Sequence, residues 1–172
     1  MTVRRTEPGQ LRVQFAHGLE SSPQGIKAQY LAARFEACTP AMDTGDFPAC
    51  VALQERELAR FQPHVLIGSS FGGAVVLELL RRGAWRGPTL LLAQAGIKLG
   101  VCDELPAEVP VLLVHGTRDE VVDPEHSRRL ARTGSPRLVR LAELDDAHRL
   151  DRLVVEDRLA DLVREVWELG RS

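Results

Sequence analysis

Apolar and polar positions along this chain follow two alternating rhythms. Short, nearly continuous apolar runs occur at 11–17 (LRVQFAH), 64–69 (HVLIGS), 88–94 (PTLLLAQ), 109–116 (VPVLLVHG) and 136–144 (PRLVRLAEL), and each reads as a strand. Between them lie longer stretches with apolar residues at helical spacing. In 24–37 Ile26, Tyr30, Leu31 and Phe35 share one side, and 47–61 and 73–83 follow the same period. A further helix is expected over 123–133, with Asp123 as N-cap and Pro124 at its first position. A last one over 150–169 carries Val155, Leu159, Leu162, Val163 and Val166 on one stripe. Pro48 suits the first turn of its helix, and Gly83 suits a helix terminus. The segment 39–43 (TPAMD) is a weaker strand candidate, second in chain order. Strands alternating with helices predict parallel pairing through crossovers. Runs apolar on both faces, at 90–92 and 111–114, predict helices on both sides of the sheet. The expectation is a three-layer α/β/α domain with a six-stranded, mostly parallel sheet.

Composition narrows the function classes. With 172 residues, the chain is expected to form a single domain over 1–172, with 1–10 a flexible N-terminal tail. A hydrophobic fraction of 44%, a charged fraction of 27% and a net charge of -2 are those of an ordinary globular protein, and no basic block points to nucleic acid. Cys38, Cys50 and Cys102 are too widely spaced for a zinc site and are expected as free thiols in a reducing compartment. With no signal-like start and no apolar run of membrane-spanning length, a cytoplasmic location is expected.

The chemistry gathers where the strands end. In an open α/β sheet, working residues collect at the carboxyl edge. That edge should hold His17-Gly18-Leu19, Ser69-Ser70, Gln94-Ala95, Gly116-Thr117-Arg118-Asp119 and Asp145-Asp146-Ala147-His148. A serine, an acid and a histidine thus follow in that order. Gly68-Ser69-Ser70-Phe71-Gly72 matches G-x-S-x-G between strand and helix, which puts Ser70 at the apex of a nucleophile elbow. A hydroxyl needs a base, and of five histidines His148 alone lies on a loop after the last strand. His17 and His115 end strands before a glycine and are read as loop packing. Asp119 is the expected orienting acid. Glu120 is read as solvated, Asp123 as a cap, and Asp145 and Asp146 as too near His148 along the chain. The backbone N–H groups of Phe71 and Leu19 are the expected oxyanion donors. No metal and no organic cofactor are called for.

On these motifs the chain resembles the α/β-hydrolase superfamily over nearly its full length. HGLESSPQGIKAQYL, GSSFGG and GTRDEVVD resemble the first loop, elbow and acid loop of its small, lidless YqiA/YcfP-type esterase group. The resemblance implies the same Ser70, Asp119 and His148, with Leu19 and Phe71 on the oxyanion, and strand order 2-1-3-4-5-6. It implies a carboxylesterase-like serine hydrolase acting on small-molecule esters, as a monomer or homodimer. A thioesterase, amidase or peptidase would use the same triad, and a non-catalytic binding module could keep the same fold. The helix at 73–83 starts directly after the elbow and only 95–106 offers room near the site, so no cap is expected. A shallow acyl pocket lined by Leu19, Phe71, Ile97 and Leu99, suited to short acyl chains, follows as an expectation.

Overall fold

A computed structural model describes residues 9–172, so most of the tail expected at 1–10 lies outside the described residues. Six strands, β1 (Arg12–Ala16), β2 (Glu36–Cys38), β3 (Val65–Ser69), β4 (Thr89–Leu92), β5 (Val111–Gly116) and β6 (Val139–Leu144), form one sheet. Its order is β2-β1-β3-β4-β5-β6 and every neighbouring pair is parallel. Strands are therefore added on one side of β1 by β2 and on its other side from β3 onward, which leaves a crevice at the carboxyl ends of β1 and β3.

Helices cover both faces. On one side lie α2 (Phe47–Phe61), α3 (Phe71–Arg82) and α4 (Pro124–Ala131); on the other lie α1 (Ile26–Arg34), α5 (Arg152–Val155) and α6 (Leu159–Leu169). The strand side chains divide between two cores accordingly. Val13, Phe15, Val65, Ile67, Leu90, Leu92, Leu112 and Val114 pack toward α1 and α6, while Leu66, Leu91, Val111 and Leu113 pack toward α3. This period-2 division of fully apolar strands accounts for their lack of polar alternation. Local chemistry sets the helix ends. Asp46 accepts from the Ala49 N–H ahead of α2, Asp123 accepts from Glu125 N–H ahead of α4, and Gly83 ends α3 at φ 71.

Two elements differ from the sequence expectation. The second strand is Glu36–Cys38, not 39–43, because the chain leaves α1 at Arg34 and pairs at once, Glu36 beside Arg12. Residues beyond it instead fold over His17, whose Nε2 accepts the Met42 N–H at 3.1 Å. The helix expected over 150–169 is broken into α5 and α6. Asp157 takes φ 54 at the break, its carboxylate held by Tyr30 Oη at 2.5 Å and Arg34 at 2.9 Å. The same Tyr30 oxygen accepts the Ala160 N–H, so α1 supplies the partner for the start of α6. Among the described residues, no helix is long and apolar enough to cross a membrane.

Candidate active site

Ser70 is the hinge between β3 and α3. Its backbone sits at φ 54 and ψ -115, outside the regions an L-residue ordinarily adopts. Four contacts hold it there. Its N–H donates to Leu92 O on β4 at 2.9 Å, and its carbonyl accepts from Ala74 N–H at 3.2 Å and Ala95 N–H at 3.0 Å. The fourth is steric: the glycines around it allow strand and helix to approach. A Cβ on Gly72 would lie 1.9 Å from Ala16 O, and one on Gly68 would lie 2.8 Å from the Gly73 Cα. The strain at Ser70 is thus imposed by neighbours on both sides, and it lifts the hydroxyl clear of the sheet edge.

The hydroxyl meets a histidine. Ser70 Oγ is 2.8 Å from His148 Nε2, and His148 Nδ1 is 2.7 Å from Asp119 Oδ2. His148 comes from the loop between β6 and α5, which is strapped in place from within and by Arg118 and Lys27. Asp146 accepts the N–H groups of Ala147 and Arg152, its carbonyl accepts the Arg118 N–H, and Lys27 of α1 donates to Arg149 O. Asp146 is therefore the loop's fastener, as Asp123 is the cap of α4, and neither reaches His148 with its carboxylate.

Asp119 is built to stay ionised. Its side chain is fully buried, which alone would raise its pKa. Donors outweigh that cost: Oδ1 accepts Val122 N–H at 2.9 Å and Val121 N–H at 2.8 Å, and Oδ2 faces His148. Together they hold the carboxyl below its ordinary value.

The loop after β1 passes directly beside the elbow. A Cβ on Gly18 would stand 3.6 Å from both Ser69 O and Ser70 Cβ. Among the described residues, neither the Leu19 nor the Phe71 backbone N–H donates a hydrogen bond. A cavity of about 530 Å³ opens here, bounded by Ser70, His148, Leu19, Ile26, Lys27, Val121, Arg149 and Val154. Leu19, Ile26 and Val121 are each more than half exposed on its rim. Burial lowers the pKa of Lys27, chiefly by desolvation, partly offset by the nearby Asp151.

Of the four residues expected to line an acyl pocket, Leu19 borders this cavity and the other three do not. The Phe71 ring is buried edge-on against Phe47, with centroids 5.7 Å apart. Ile97 packs beside the α3-side core, and Leu99 points to solvent. Ile26, read from its period as part of the α1 core stripe, is instead exposed at the cavity mouth. His115, read from the sequence as loop packing, has a further contact. It is fully buried and reaches the same Asp119 oxygen as His148, at 3.0 Å. The only signal was its position, at the end of β5 with Asp119 four residues on.

No family model matches the chain, and no curated protein matches it in sequence. Solved structures do resemble it, and they carry the α/β-hydrolase fold. A protein from Xanthomonas campestris pv. campestris, described as a candidate hydrolase of the alpha/beta superfamily, is 22% identical over 94% of this chain and 97% of its own, with a TM-score of 0.68. The mouse alpha/beta hydrolase domain-containing protein 10 is 19% identical over 90% of each chain, with a TM-score of 0.66. The monoacylglycerol lipase of Paleococcus ferrophilus is 14% identical over 92% of this chain and 94% of its own, with a TM-score of 0.70. At such identities the likeness is one of fold, and it extends along the length of the sheet and its helices.

Proposed function

We propose that this α/β-hydrolase-fold protein is a carboxylesterase-like serine hydrolase, with Ser70 as nucleophile, His148 as general base and Asp119 as the acid that orients it. The observation that carries the reading is the continuous hydrogen-bonded line Ser70 Oγ–His148–Asp119 at a strained strand-to-helix turn. In the first step Ser70 Oγ attacks the ester carbonyl carbon while His148 Nε2 takes its proton. The carbonyl oxygen gains negative charge, and the N–H groups of Leu19 and Phe71 stabilise it. Collapse breaks the acyl–oxygen bond, and His148 returns the proton to the departing alkoxide. Water, deprotonated by the same nitrogen, then attacks the acyl-enzyme and releases the acid with Ser70 restored. Asp119 stays ionised throughout and compensates the imidazolium.

The cavity beside Ser70 supports a small-molecule ester, with the acyl group against Leu19, Ile26 and Val154. The absence of a helix between Ala93 and Pro110 supports a site without a cap and hence a preference for short acyl chains.

A fluorophosphonate probe tests the reading directly. The expected result is one covalent adduct, on Ser70, abolished in Ser70→Ala and strongly reduced in His148→Ala. Turnover of p-nitrophenyl butyrate should fall by roughly 10³-fold or more in either variant and in Asp119→Asn, and the Ser70→Ala/His148→Ala double variant should be little worse than the singles. A folded protein that neither labels nor turns over any ester or thioester would favour a binding module instead.

A further inference from the structure

Behind the Asp119 carboxylate lies a second, fully buried hydrogen-bond chain whose direction can be read atom by atom. It starts at the Gly96 backbone N–H, which can only donate, and which gives its proton to Gln94 Oε1 at 2.8 Å. That fixes the Gln94 amide, whose Nε2 then donates to Ser127 Oγ at 3.0 Å. With its oxygen accepting there, the Ser127 hydroxyl directs its proton to His115 Nδ1 at 2.7 Å. His115 Nε2 donates to Val122 O at 3.0 Å, so this nitrogen carries the proton, and the same ring edge lies 3.0 Å from Asp119 Oδ2 without a second aligned hydrogen bond. Gln94, Ser127 and His115 are all fully buried.

Two imidazoles therefore converge on one carboxylate oxygen, one from the solvent side and one from the core. Their environments differ. His148 is partly exposed and touches Ser70, whereas desolvation pushes the His115 pKa down despite Val122 O and Asp119 beside it. The titratable groups facing His115 are Asp119 and His148. A proton acquired at Nδ1 of His115 would meet the Ser127 hydroxyl proton, so both the hydrogen-bond chain and the burial favour the neutral ring.

We propose that His115 is a positioning residue for the hydrolytic reaction: a neutral imidazole, anchored to α4 through Ser127 and to the loop after β4 through Gln94, that holds Asp119 Oδ2 in the one place where it meets His148 Nδ1. The inference rests on the hydrolase reading for its kinetic consequence, but the arrangement it describes is present in the resting protein. The two backbone donors fix Oδ1, and the His115 ring edge abuts Oδ2, so the carboxylate is braced at both ends against rotation about its Cβ–Cγ bond. The electropositive Nε2–H edge of His115 also lies beside the oxygen that accepts from His148, so the strength of that bond depends on His115 being there.

The test compares His115→Phe, which keeps a buried ring and removes the donor, with His115→Gln, whose amide restores an N–H at similar reach. Two readouts are used. One is the low-field proton resonance of the His148 Nδ1–H in the protein without substrate; the other is the kcat and KM for p-nitrophenyl butyrate. In His115→Phe the resonance is expected to move from its parent position and kcat to fall about tenfold with KM within about twofold, as for a misplaced catalytic geometry. His115→Gln should recover most of both. If His115→Phe does not fold, Ser127→Ala, which leaves the imidazole but removes its Nδ1 partner, carries the same readouts with a smaller shift in the same direction. A folded His115→Phe with unmoved resonance and parent kcat overturns the proposal while leaving the hydrolase reading intact. A moved resonance in a protein that hydrolyses no ester would do the reverse.

Discussion

Ser69 and Ser70 are chemically identical neighbours, and their fates differ because one backbone turns and the other does not. Ser69 ends β3 in register with Leu92, whereas Ser70 sits at φ 54 with its oxygen 2.8 Å from His148. Ser69→Ala is expected to keep at least about a tenth of parent turnover, where Ser70→Ala keeps none above background. The reverse pattern on p-nitrophenyl acetate would contradict the assignment of the nucleophile. Gly72 carries the complementary constraint. A methyl there would overlap Ala16 O at 1.9 Å, a backbone atom of the central strand that cannot step aside. Gly72→Ala is therefore expected to cost about 3 kcal/mol in chemical denaturation, even though it changes no group that touches substrate. A variant as stable as the parent would mean that the elbow can widen.

At the scale of elements, α3 is the helix that the site leans on, buried along Phe71–Leu80. Within that run Glu78 is the one charged residue, and it is tolerated because Arg81 and Arg82 of the next turn bind its two oxygens at 2.8 and 2.6 Å. These partners bring its pKa from the ordinary 4.5 to about 2. A carboxyl with a depressed folded pKa adds stability that is complete above its ordinary value and is lost as pH falls through about 2. The arginines are half exposed and screened, so the contribution is about 1–2 kcal/mol at neutral pH. Glu78→Gln should be less stable than the parent by that amount at pH 7, and the two denaturation curves should converge as pH approaches 2. A gap that stays constant across that range would show that packing, not charge, carries the effect.

Over the whole molecule, the sheet order places the elbow and the loop after β1 side by side where the order of strand addition reverses, and the cavity opens between α1 and the loop carrying His148. An acyl chain entering this cavity would be bounded by α1 and α5, across the sheet from Ile97. Each methylene taken into the cavity contributes ~0.8 kcal/mol, and carbons beyond its mouth contribute little. The kcat/KM for p-nitrophenyl esters is therefore expected to rise from acetate to butyrate and to gain nothing further by dodecanoate, measured below micelle formation. Val154→Trp should fill the far wall and reverse the acetate-to-butyrate rise while sparing acetate itself. Specificity that continues to climb to dodecanoate would point to a segment, 95–106 foremost, closing over the chain.

The sequence by itself determined the properties that neighbours along the chain decide. Apolar period set β1, β3, β4 and β5 and the helices between them. Pro48, Asp123 and Gly83 could be read as marking helix ends, and the G-x-S-x-G spacing located a strained turn at Ser70. The chain order of Ser70, Asp119 and His148 at strand ends was equally legible, because a parallel sheet delivers every strand end to one edge. Tertiary structure decided what depends on residues far apart in sequence. Asp157 breaks the last helix because Tyr30 and Arg34 reach it from α1, and β2 falls at 36–38 because β1 offers its edge there. Ile26 continues a perfect helical stripe yet faces a cavity, since period encodes which side of a helix is apolar but not what that side faces. His115 looked like a strand-end histidine before a glycine; only the approach of α4 and the loop from Asp119 turned it into the second hand on the carboxylate.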